Sequence, residues 1–198
     1  SFLINDEDNT TPYGNRSLDI IVAPWPWVKL GTGKFRDDYL CSMFNGGNPE
    51  IEVTIHEHKS KKGIYMIEEM YGWPFLTEFF KGSQEEIESQ VKLTYTPVNI
   101  TIDCSDPTKV VMPRQFTGII DGDPAYGNYE IAMSTGGEGT LVNGVITFPQ
   151  EALAFVCGAG SLKANKSGLF RILLPGAELT DYTLSAVYDG MKVSADGE

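Results

Sequence analysis

The two histidines of the chain stand two residues apart in Glu50-Ile51-Glu52-Val53-Thr54-Ile55-His56-Glu57-His58. On a strand, positions i and i+2 project from one face, and two imidazoles so placed can chelate a metal ion. Glu50, Glu52 and Thr54 share that face, so it is read as the polar side of a half-buried strand. His56 and His58 are therefore expected to be solvent-accessible and to hold no structural metal. A catalytic role for either needs a nucleophile from elsewhere, and no motif supplies one. Carboxylates stand at Asp37-Asp38, Glu68-Glu69 and Asp121-Gly122-Asp123. Glycoside hydrolysis needs two carboxyl groups facing one bond, about 5–9 Å apart, whereas adjacent acids on a strand point to opposite faces. The Asp-x-Asp spacing is one that calcium loops use, but the later bidentate Glu is missing. These acids are read as solvated turn residues. No catalytic residue, metal ligand or cofactor is assigned.

Rings are the other candidate chemistry. Two aromatic clusters contain proline: Pro24-Trp25-Pro26-Trp27, and Tyr71-Gly72-Trp73-Pro74-Phe75 with Phe79 and Phe80 beyond it. Proline keeps a segment off central ladders, so both clusters are expected at edges or in loops. Rings there can stack on sugars or anchor a protein partner; plugging the open ends of a sandwich is the structural alternative. Trp25, Tyr71 and Trp73 are the expected ligand-binding residues, and Trp27 is assigned to the core.

Two glycine-rich stretches fail their motifs. In Gly31-Thr32-Gly33-Lys34-Phe35 a phosphate loop would need an earlier glycine where Val28 stands, and Ser or Thr where Phe35 stands. Gly158-Ala159-Gly160-Ser161-Leu162-Lys163 lacks the third glycine of a dinucleotide fingerprint. Ser134 is not in a nucleophile elbow.

The elements that must position these residues are short strands. Glu50–His58 alternates, Lys59-Ser60-Lys61-Lys62-Gly63 is a charged loop, and Ile64–Ile67 resumes the β-prone run, which predicts a hairpin. Similar runs fall at 18–23, 91–95, 98–102, 109–112, 116–120, 128–133, 145–148, 168–174 and 182–188, separated by turn signals such as Asn143-Gly144. Helix signals are confined to a capping box at Ser83/Glu86, opening a turn or two over 85–90, and to Pro149–Leu153. The spacing predicts an all-β, sandwich-like fold with little helix and none longer than about three turns. Lys61–Ile67 aligns with Lys166–Ile172, so the chain is either two similar β-rich halves, 17–97 and 98–194, or one continuous domain. Residues 1–16, polar and acidic, read as a tether or irregular arm.

Composition limits the partners. Fifteen Lys+Arg against 27 Asp+Glu give a net charge of −12, which disfavours nucleic acid and anionic lipid surfaces. A hydrophobic share of 41% suffices for a core, which excludes general disorder. No apolar run reaches the ~18 residues of a membrane helix. Cys41, Cys104 and Cys157 form no C-x-x-C pair and read as small buried hydrophobes, with one disulfide as the alternative. The chain begins at Ser1, so it is expected to be processed or truncated.

Trp27-Val28-Lys29-Leu30-Gly31-Thr32-Gly33-Lys34-Phe35-Arg36-Asp37-Asp38 resembles the W-x-x-L-G-T-G-x-[FY]-x-D-D opening of a family of uncharacterised surface lipoproteins from gut Bacteroidetes. The similarity continues through Val53-Thr54-Ile55, Gly63-Ile64-Tyr65, Tyr71-Gly72, Ile102, Pro107–Val110, Gln115–Gly118, Gly144–Pro149, Gly168-Leu169-Phe170 and Leu174-Pro175-Gly176. The resemblance implies export, an N-terminal lipid anchor on a cysteine absent from this chain, attachment at the outer-membrane surface, and a non-enzymatic β-rich module. It transfers no catalytic or ligand residues. Asp6-Glu7-Asp8 is similar to the surface-export signals of such lipoproteins. Two readings result. The first is an extracellular binding or adhesion module for a glycan, with a polysaccharide or another surface protein as partner. The second is a structural spacer or assembly domain of a larger surface protein.

Overall fold

The computed structural model describes residues 24–44 and 46–179. The arm at 1–16 and the runs 18–23 and 182–188 lie outside them. Among the described residues twelve strands run in order: β1 (Trp27–Arg36), β2 (Glu50–His58), β3 (Ile64–Glu68), β4 (Leu93–Tyr95), β5 (Asn99–Asp103), β6 (Gln115–Asp121), β7 (Asn128–Met133), β8 (Thr140–Val142), β9 (Val145–Thr147), β10 (Leu153–Cys157), β11 (Gly160–Lys163) and β12 (Arg171–Leu173). They form a seven-stranded sheet, β5-β3-β2-β1-β12-β9-β8, and a five-stranded sheet, β11-β10-β7-β6-β4. Each of these pairings is antiparallel. The all-β, sandwich-like class predicted from alternation is the observed one. Strands from both sides of residue 97 meet in each sheet: β3 pairs β5, β1 pairs β12, and β4 pairs β6. The described residues share one hydrophobic cluster from Phe35 to Ile172.

The β2–β3 hairpin forms where the charged Lys59–Gly63 loop predicts it. The run 109–112 does not become a strand; Val110 and Val111 make only isolated bridges, to Gly139 and Asp103. A bulge hides β1 from alternation. Its register on β2 runs Lys29↔His56 and then Gly31↔Ile55, leaving Leu30 as the extra residue. Beyond the bulge, Gly33 lets β12 close on β1, since a Cβ there would lie 2.2 Å from the Leu173 carbonyl oxygen.

The core is aromatic. The Phe35 ring centroid lies 5.4 Å from those of both Tyr71 and Phe75 and 5.7 Å from Phe170, while Tyr39 is 5.2 Å from Tyr71 and 5.0 Å from Phe155. All six are fully buried, each contributing about 1.5–3 kcal/mol from area alone. Tyr71 and Phe75 come from the second proline-containing cluster, because that segment is not a loop. Gly72 supplies an extended N-cap and Pro74 occupies the first turn of α1 (Trp73–Phe80), which buries Phe75, Leu76 and Phe79. Proline near a helix start sacrifices no hydrogen bond, and its φ suits the helix. α1 ends at Lys81 in the left-handed region, its N–H donating to the Thr77 carbonyl. The capping box at Ser83 and Glu86 forms as expected, opening α2 (Gln84–Glu86) and a π-turn over Ile87–Val91.

The three cysteines are free thiols: Cys104 is buried, Cys157 half-buried, and Cys41 exposed. Cys41 departs from the expected burial because the 3-10 turn Tyr39–Ser42 turns Tyr39 and Leu40 into the core and leaves residue 41 outside.

Candidate ligand-binding face

The outer face of the seven-stranded sheet is set by the bulge at Leu30. Ahead of it, Gly33↔Val53 and Phe35↔Ile51 point one way, and Phe35 and Val53 are core. Behind it, Trp27↔His58 and Lys29↔His56 place the odd-numbered residues of β1 on the opposite face. The Trp27 ring meets His58 edge-on, with centroids 5.2 Å apart. This corrects the assignment of Trp27 to the core: it is half-buried, on the solvent side of the ladder.

Trp25 stands just before β1 between two prolines, 58% exposed. The Pro26 carbonyl accepts the Lys59 N–H at 2.8 Å, so the pairing runs one step past the strand and fixes the base of the Trp25 segment. Lys29 is exposed beside these rings. His58 is held by its own turn: Nδ1 accepts the N–H groups of Ser60 and Lys61, each at 3.2 Å. Nε2 is thereby left as the ring's donor toward the face.

His56 corrects the expectation of accessibility. It is 7% exposed, Nε2 lies 2.5 Å from Glu68 Oε1, and Nδ1 is buried without a partner among the described residues. Burial comes from its place in the middle of the sheet, between Lys29 of β1 and Met66 of β3. The two histidines are thus engaged separately, one with Glu68 and one with Trp27. Among the described residues no group of three His, Cys, Asp or Glu side chains is placed to hold a metal ion.

The other two expected ligand residues go elsewhere. Tyr71 is fully buried, its ring packed on Phe35, Tyr39 and Phe75 and its hydroxyl donating to Asp37 Oδ2 at 2.7 Å. It is a core residue and not part of a ligand surface. Trp73, at the first position of α1, is half-buried against the core, with its ring 6.3 Å from that of Tyr95. Burial pushes the Tyr95 hydroxyl up to about 12. Trp25, Tyr71 and Trp73 therefore make no common ring cluster.

Below the surface, Asp37 and Asp38 are buried acids of different kinds. Asp37 is fully enclosed; burial drives its carboxyl well above the usual carboxylate range, the Tyr71 hydrogen bond opposes this, and the charge of Asp38 adds to it. Asp38 Oδ2 accepts the Ser167 N–H at 2.7 Å, tying the start of the Tyr39 turn to the loop before β12. The solvated-turn reading does not hold for this pair, because the Tyr71 hydroxyl and the Ser167 N–H, both distant in sequence, engage the two acids beneath the surface.

The face has rings for stacking, an ammonium at Lys29, an imidazole donor at His58 and a carboxylate at Glu68. Such a set binds by ring contact and hydrogen bonding. Trp25 is the exposed ring that its sequence setting predicts. Trp27 and His58 escape sequence reading as partners, although the predicted hairpin and the His56-x-His58 pattern already locate one edge of the face. Compared with known proteins, the chain matches no family model, no curated protein and no solved structure.

Proposed function

We propose that the chain is a non-enzymatic binding or adhesion module of a cell surface, and that its ligand is a glycan lying across the β1–β2 end of the seven-stranded sheet. The carrying observation is the pair of tryptophans two residues apart, Trp25 exposed and Trp27 held against His58, on a segment braced by Pro24 and Pro26. An exposed indole is an unfavourable surface without a partner, and a rigid one loses little entropy on binding. Stacking contributes only about 0.5–1.5 kcal/mol per ring beyond buried area, so single contacts are weak and a polymeric ligand gains by avidity. The motif resemblance over Trp27–Asp38 supports export and lipid anchoring in the precursor.

Affinity electrophoresis of the 198-residue chain in gels of plant and host polysaccharides tests this reading. The expected result is retardation by at least one polymer, lost in Trp25→Ala and Trp27→Ala. Indifference to every polymer would leave the assembly-domain reading. That reading has its own observation: among the described residues β11 is an edge strand, exposed along its whole length, and carries Leu162 at 51% exposure.

A further inference from the structure

A second concave site lies away from the tryptophans, between two interlocked turns. In one, the Gly137 N–H donates to the Ser134 carbonyl at 2.9 Å; in the other, the Ala152 N–H donates to the Pro149 carbonyl at 3.1 Å. The Ser134 N–H joins them through the Ala152 carbonyl at 2.7 Å. Gly137 is required there, since a Cβ would stand 2.5 Å from the Ala152 carbonyl oxygen. The cleft between the turns has a volume of about 410 Å³, within the roughly 300–1,000 Å³ of small-molecule sites.

Polar side chains share the lining with Pro149 and Ala152. Ser134 and Thr135 offer hydroxyls, Gln150 an amide, Glu151 a carboxylate, and Lys163 of β11 an ammonium. Glu151 Oε2 and Lys163 Nζ are 3.1 Å apart, so the site carries both signs and no net charge. Glu151 has φ +58°, at the third position of its turn, where glycine or asparagine is the cheap choice. Five other described non-glycine residues share this positive φ, so it marks a local backbone cost at Glu151 and is not by itself a sign of a site. Its backbone is pinned as well, with the N–H donating to the carbonyl of buried Asn165 at 3.1 Å.

We infer that this cleft binds a single neutral sugar residue of a glycan. Each sugar hydroxyl both donates and accepts, which suits a lining of hydroxyls, an amide, a carboxylate acceptor and an ammonium donor. Adjacent hydroxyls can bridge the two oxygens of Glu151 while Lys163 donates; the Gln150 amide nitrogen is held by the Lys166 carbonyl, which leaves its Oε1 to accept. Among the described residues no aromatic ring lines the cleft, so recognition here is by hydrogen bonding, in contrast to the stacking face on β1. The inference rests on the glycan reading above and adds a division of labour: ring stacking on the open face of β1, and hydrogen bonding to one sugar residue in the cleft.

The test is a titration of the ¹⁵N-labelled 198-residue chain with methyl glycosides of glucose, galactose, mannose, fucose and N-acetylglucosamine. One of them should move the amide signals of Thr135, Gly136, Gly137 and Glu151 in a saturable way. Glu151→Gln and Glu151→Gly should each weaken that titration roughly tenfold or more. Glu151→Gly should keep or raise the melting temperature, because it relieves the positive φ, so loss of binding cannot be ascribed to unfolding. Silence of those amides with all five glycosides overturns the inference, as does wild-type affinity in Glu151→Gly. Polysaccharide retardation on the same samples separates the two claims. Retardation with a silent cleft refutes only the cleft, whereas a saturable cleft without retardation refutes only the tryptophan face.

Discussion

Two short segments that mix proline with aromatic rings meet opposite fates. Pro24-Trp25-Pro26-Trp27 leads into a strand and leaves its rings at the surface, while Tyr71-Gly72-Trp73-Pro74-Phe75 opens a helix and fills the core. The difference lies in the residues downstream of each proline. After Pro74 come Phe75, Leu76 and Phe79, whose spacing lays an apolar stripe along one face of α1. After Pro26 comes a run paired with β2 on both sides of the Leu30 bulge, and the ladder leaves one face to water. Proline excludes the middle of a sheet in both cases, but it does not choose between loop and helix start. Ring content alone therefore says nothing about exposure.

The comparison breaks most sharply at Tyr71. Tyr71→Ala removes a ring from between Phe35, Tyr39 and Phe75 and strips Asp37 of its hydroxyl partner, and should lower stability in urea by about 3–5 kcal/mol. A loss under about 1 kcal/mol would mean the ring is not core. Trp73→Ala, half-buried against Tyr95, should be intermediate, at about 1–2 kcal/mol, with polysaccharide retardation intact. If retardation disappeared while stability held, Trp73 would belong to the ligand surface after all.

A third expectation concerns pH. Burial raises the Asp37 carboxyl, so the fold binds its proton more tightly than the unfolded chain does. The contribution is complete below the unfolded value of about 4 and is lost as pH rises through the folded one. Asp38, Tyr39 and Tyr71 are the ionisable groups facing it. Asp37→Asn should therefore gain in melting temperature over wild type on going from pH 5 to pH 8; parallel curves would show Asp37 to be ordinary. The smallest effect belongs to Trp25→Ala, which should change stability by under about 0.5 kcal/mol. A larger loss would place Trp25 in a packing role and return the two clusters to one class.

Much of this architecture is readable as alternation. The β2–β3 hairpin, β6, β7 and β9, and the Ser83 capping box all arise from local pattern, because there the local preference and the tertiary context agree. β8 and β11 escape notice because they bury almost nothing, β11 being exposed at all four positions and β8 at two of three, so no apolar alternation marks them. The burial of Asp37 and Asp38 is also invisible locally: it depends on Tyr71 and Ser167, which lie 34 and 129 residues away from their partners. Of the ligand-binding residues read from sequence, Trp25 has the expected exposure and Tyr71 is core. Trp27 lies outside the core because the bulge at Leu30 sets it on the face opposite Phe35, and nothing in the local sequence marks a bulge there.

That bulge also makes the strand unequally tolerant of length change. Leu30 is the residue with no partner across the ladder, so a lineage losing its codon would keep both flanking registers and both faces. Loss of Val28, two positions earlier, would instead slide Trp27 opposite Glu57 and turn the indole toward the inside. Insertions and deletions in this strand are thus sorted by position, and the one place where chain length can drift freely is 43% exposed Leu30.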